Sequence, residues 1–108
     1  MKILAIEREV PGITDQAFRA HLQHEAARVW ELYQAGVIRE IYFRSDQPSA
    51  VLVLECSDAQ EAGQILATLP LVMEGLITFE ILPLTAYPGF SRLFAEVEES
   101  QSNCSAKN

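Results

Sequence analysis

"VIREIYFRSDQPSAVLVLEC", residues 37–56, decides how this chain folds. Residues 37–44 are rich in β-branched and aromatic side chains, which pack well on a pleated surface, so they read as a strand. "SDQPS" (45–49) has turn chemistry, and "AVLVLEC" (50–56) reads as a second strand, so the two form an antiparallel hairpin. On the second strand Ala50, Leu52 and Leu54 point one way while Val51 and Val53 point the other. A sheet with one wetted face alternates apolar with polar residues. Both faces of this strand are apolar, and both need cover.

Upstream, "KILAIERE" (2–9) alternates and reads as a first strand. Pro11 and Gly12 break it, and Thr14 or Asp15 is placed to cap a helix spanning about residues 15–35, which Gly36 terminates. Downstream, Ser57 with Gln60, or Asp58 with Glu61, has the capping-box spacing that opens a second helix, running to about residue 69, where Pro70 stops it. "GLITFEILPL" (75–84) is a fourth strand with the same two-sided character, Ile77, Phe79 and Ile81 opposing Leu76 and Leu82. "TAYPGFSRLF" (85–94) reads as an ordered extension with large apolar anchors. Residues 96–108 are small, polar and charged, and read as a flexible tail behind a single domain of residues 1–95.

The order is therefore β-α-β-β-α-β, an α+β, ferredoxin-like arrangement in which two helices cover one face of a four-stranded antiparallel sheet. The chain has no spare element to cover the other face. A second copy of the same sheet is the economical cover, which predicts a homodimer, a dimeric α/β barrel formed by two chains.

Composition narrows the function. The chain has 108 residues, and its net charge of −7 with only eight scattered basic residues argues against a nucleic-acid partner. No apolar stretch approaches the roughly 20 residues of a membrane span, and the N-terminus lacks the pattern of a secretory signal, so a cytoplasmic location is expected. The two cysteines, Cys56 in an apolar strand and Cys104 in the polar stretch, require no disulfide.

Chemistry enters at "HLQHEAARVWEL" (21–32). At about 100° per residue, Phe18, Leu22, Val29 and Tyr33 share an apolar stripe, and Glu25 lies only about 20° outside it. His21, one turn before Glu25, is within its reach. A carboxylate between helix and sheet is costly unless paired or protonated, and desolvation raises its pKa toward the range of a proton shuttle. The plain alternative is a marginal carboxylate salt-bridged to Arg28 or His21. On the second strand Arg39 and Tyr42 lie on opposite faces; Arg39 has the fork geometry to hold a substrate carboxylate, or to pair with a strand glutamate. Tyr42 is a hydrogen-bond donor or a core ring. Glu7, Glu55 and Glu80 interrupt apolar strands and read as strand-end residues. His21 and His24 lack the further ligands a tight metal site needs, and no Gly-rich phosphate loop is present, so no metal or cofactor is expected.

"LPLVMEGLITFEILPLTAYP" (69–88) and "EAARVWELYQAGVIREIYF" (25–43) resemble the muconolactone isomerase family, with Leu69, Pro70, Leu71, Gly36 and Arg39 as the firmest points over roughly residues 20–90. The strand "ILAIE" departs from that family in lacking polar, basic character. The resemblance implies a dimeric α/β barrel, in dimers that can assemble into larger rings, and cofactor-free isomerisation of a small, anionic lactone or carbonyl compound. Glu25 would then be the acid/base, His21 its tuning partner, Arg39 the anion clamp and Tyr42 a hydrogen-bond donor. Two other classes stay open: a non-catalytic ligand-binding or assembly module, and a cofactor-free monooxygenase on the same fold.

Overall fold

The computed structural model describes residues 1–94; the expected tail at 96–108 lies outside the described residues. Four strands, β1 (Lys2–Glu9), β2 (Ile38–Phe43), β3 (Ala50–Glu55) and β4 (Ile77–Pro83), form one antiparallel sheet in the order β2-β3-β1-β4. The helices are α1 (Asp15–Arg19), α2 (Leu22–Gln34), α3 (Ala59–Leu66) and α4 (Pro70–Met73), followed by a 3-10 turn at Gly89–Phe94. The α+β, ferredoxin-like arrangement expected from the sequence is what forms. Among the described residues no helix is long and apolar enough to cross a membrane.

Strand parity builds the core. Ile3, Ala5, Leu52, Leu54, Ile38 and Ile77 lie under the helices and are buried, each large aliphatic side chain contributing about 1.5–3 kcal/mol. Glu7 continues the parity of Ile3 and Ala5 and is buried with them, 8% exposed. Leu4, Ile6, Val51, Val53 and Leu82 occupy the opposite face and are only half-buried, since among the described residues no helix is laid over them.

Two helical boundaries differ from the sequence reading, and packing explains both. The expected first helix is broken at Ala20 and His21. Phe18 and Ala17 pack into one apolar cluster, with Leu71, Leu76 and Ile77, while Val29 and Leu32 belong to another, centred on β1 and β3, so the chain bends to serve both. Pro70 does not merely stop a helix; it is the first residue of α4, where its missing N–H costs nothing. Thr14 caps α1 through the Ala17 N–H, and Asp58 caps α3 through the Glu61 N–H at 2.8 Å. Gly36 and Gly75, at φ +81° and +74°, end α2 and α4 in the left-handed conformation. In each, the glycine N–H and the next N–H fold back onto the last-turn carbonyls (Gly36 to Tyr33, Val37 to Leu32; Gly75 to Val72, Leu76 to Leu71).

Candidate functional site

Between α1 and α2 on one side and the sheet on the other lies a cleft of about 540 Å³, within the size range of small-molecule sites. Its wall is mostly apolar, with Phe18, Leu22, Val29, Leu69, Leu71 and Phe79 prominent. The ionisable groups that reach it are Glu7 and Glu9 from β1, Glu25 from α2 and Tyr42 from β2. Among the described residues no Lys, Arg or His side chain lines it.

Glu25 is held from across the fold. Its Oε1 accepts the Leu71 N–H at 2.9 Å. Leu71 is in the first turn of α4, whose own cap residue, Leu69, offers no side-chain acceptor, and Pro70 has no N–H to satisfy. Glu25 therefore supplies, from α2, the acceptor that the start of α4 lacks. The Leu69-Pro70-Leu71 step thus presents one backbone donor to one carboxylate. Burial pushes the Glu25 carboxyl up, the Leu71 bond opposes this, and the negative charge of Glu7 pushes it further up.

Glu7 is the cleft residue the sequence reading set aside as a strand end. Its Oε1 accepts the Ala50 N–H at 2.8 Å, and its carbonyl accepts the Ser49 hydroxyl at 2.8 Å. Burial raises its pKa most, the Ala50 bond lowers it, and Glu9 raises it again. Its parity with Ile3 and Ala5 was the available signal; reading Glu7 as a strand-end residue hid it. Among the described residues no fully buried polar side-chain atom lacks a hydrogen-bond partner. Both carboxyls line one largely apolar cleft, each anchored by one backbone N–H.

The other expected residues are placed differently. His21 sits at the bend before α2; its carbonyl accepts the Glu25 N–H at 2.9 Å, and its side chain makes no capping bond. Arg28 donates to Thr68 and pairs with Glu31, both at 3.0 Å, rather than with Glu25. Arg39 falls at a bulge between Ile38 and Glu40, where the pairing register shifts. Its Nε donates to the Gly36 carbonyl, and its side chain borders a separate groove with Trp30 and Tyr33. After the bulge, Ile41 opposes Leu52 on the helix side, so Tyr42, opposite Val51, turns its ring to the uncovered face. There its hydroxyl donates to Glu40 at 2.8 Å, and the residue lines both the cleft and the neighbouring groove. Cys56 is buried, and burial raises its thiol pKa, the opposite of what a nucleophile needs.

The family model for muconolactone delta-isomerase matches residues 4–89. No curated protein matches the chain. A solved structure of 5-chloro-2-hydroxyhydroquinone dehydrochlorinase from Burkholderia phenoliruptrix AC1100, in complex with 2,5-dihydroxybenzoquinone, is similar with a TM-score of 0.58 at 16% identity. The alignment covers 79% of this chain and 94% of that one, and at that identity the likeness is one of fold.

Proposed function

This chain belongs to the muconolactone delta-isomerase family, and we propose that it isomerises a small lactone or related carbonyl compound by cofactor-free proton transfer in the cleft beside α2. The observation that carries this reading is Glu25: a carboxylate anchored by Leu71 in an apolar cleft, with burial raising its affinity for a proton. A general base works best when its pKa lies near the operating pH, and desolvation moves a glutamate in that direction. At about 540 Å³ the cleft has ample room for a small ring compound.

In the reaction, the Glu25 carboxylate takes a proton from the carbon next to the ring carbonyl. The C–H electron pair moves into the conjugated system, and the carbonyl oxygen carries the charge as an enolate. The Glu25 acid then returns the same proton at the far end of that system, and the double bond has shifted with no atom gained or lost. The fixed backbone donor keeps Glu25 in one rotamer through both transfers, which suits a step that depends on a near-attack geometry. His21 contributes through the bend that places the first turn of α2. A second copy covering Leu4, Ile6, Val51, Val53 and Leu82 completes the homodimer and dries the sheet behind the cleft.

Proton NMR in D2O with a panel of butenolides tests the proposal, because double-bond migration and deuterium incorporation are read together. Wild type should turn over at least one member, and Glu25→Gln should lose about 100-fold or more. Turnover unchanged in Glu25→Gln overturns the assignment. A ligand that binds without turnover or exchange would make the chain a binding module instead.

A further inference from the structure

We infer, building on the proton-transfer reading above, that Glu7 is a positioning residue of the same reaction: its carboxylate, fixed on the sheet floor of the cleft, is the standing negative charge against which Glu25 takes and returns the substrate proton. Glu7 is 8% exposed and lines the cleft that Glu25 borders from the helix side. The two carboxyls come from opposite layers of the fold, β1 and α2. Each is tethered, Glu7 by the Ala50 N–H at 2.8 Å and Glu25 by the Leu71 N–H at 2.9 Å, so neither swings away freely. Two carboxylates fixed in one largely apolar space repel each other, and the repulsion is relieved when one of them binds a proton. The charge of Glu7 tightens the hold of Glu25 on that proton.

The groups around Glu25 leave this pairing in place. Glu7 and Glu9 reach the cleft from β1 and Tyr42 from β2, while α1, α4, β3 and β4 line it with apolar side chains. On α2 itself, Arg28 is taken up by Thr68 and Glu31. Arg8 shares a polar groove with Glu7, Gln47 and Ser49 and is paired with Glu80. When Glu25 takes the carbon-bound proton, its negative charge passes to the substrate oxygen and its repulsion with Glu7 disappears. That relief makes Glu25 a stronger base than a lone exposed glutamate. The proton then goes to the far carbon, and Glu7 has neither gained nor lost one.

The experiment is a carbon-13 NMR titration of the Glu7 and Glu25 side-chain carboxyls in wild type and Glu7→Gln, beside the pH dependence of kcat/KM on a butenolide that wild type turns over. The Gln side chain keeps an oxygen for the Ala50 N–H and removes only the charge. The Glu25 midpoint in Glu7→Gln should move to lower pH, and the acid limb of the rate profile should move with it. The rate on the high-pH plateau should fall by at least about threefold, well short of the roughly 100-fold loss expected of Glu25→Gln. An unmoved Glu25 midpoint in folded Glu7→Gln overturns the inference. That is the outcome expected if Glu7 only braces the entry to β3, which lowers the rate without moving a midpoint. In wild type the Glu25 signal should bend a second time as Glu7 takes its own proton, because coupled carboxyls report each other. A curve without that second bend overturns the inference even where Glu7→Gln does not fold. Inactive Glu25→Gln beside unmoved midpoints removes this inference alone; fully active Glu25→Gln removes the proton-transfer reading and this one together.

Discussion

Glu25→Gln should make the protein more stable at neutral pH while it removes activity. Burial outweighs the Leu71 hydrogen bond and raises the Glu25 pKa above its unfolded value. The folded state therefore binds the proton more tightly than the unfolded chain. Stability from this group is full below the unfolded pKa, about 4.3, and is lost as pH rises through the folded pKa. Gln mimics the neutral acid and keeps an oxygen for the Leu71 N–H at 2.9 Å. The burial penalty, lessened by partial solvent screening, is lifted in the Gln variant, which should therefore be the more stable protein at pH 7. Glu25→Ala removes the acceptor as well and leaves the Leu71 N–H unsatisfied, so it should fall about 1–3 kcal/mol below the Gln variant. The assay is thermal and urea unfolding of all three proteins at one concentration, at pH 4 and pH 7, read as differences so that other carboxylates cancel. The wild-type-to-Gln gap must close at pH 4. A Gln variant no more stable than wild type at pH 7, or a gap that ignores pH, would refute the reasoning.

Four further substitutions can be checked by unfolding or sedimentation. Gly36→Ala places a side chain at φ +81° and should cost about 1–2 kcal/mol, whereas Gly63→Ala, whose new methyl would lie 3.6 Å from Ile81 Cδ1 inside α3, should stabilise by about 0.5–1 kcal/mol. Leu54→Ala empties a fully buried position between β1 and β2 and should cost about 3–5 kcal/mol in urea unfolding. Val53→Lys puts a charge on the uncovered face opposite Leu4, and sedimentation should show a dimer reduced to single chains; an unshifted sedimentation coefficient would exclude this face as the interface.

Much of this was legible from local pattern. Alternation located β1, β-branched and aromatic content β2, and apolar runs β3 and β4, and strand parity placed Leu52 with Leu54, and Ile77 with Phe79 and Ile81, on common faces because side chains on a strand must alternate. The two-sided apolarity of residues 50–54 marked a face in need of a partner, and the near-stripe position of Glu25 marked a carboxylate aimed inward. What local pattern does not encode is which distant groups meet. The Leu71 N–H that holds Glu25 is 46 positions away in sequence, and it is free to donate because it lies in the first turn of α4, where no cap side chain takes it. A single bulge at β2 changed the parity behind it, so Arg39 and Tyr42 could not be aimed from the strand sequence alone. Glu7 looked like a strand end until the helices closed over it. Periodicity reports the face of each element; the site depends on register, bulges and the bend between α1 and α2, which are settled only when the elements pack against one another.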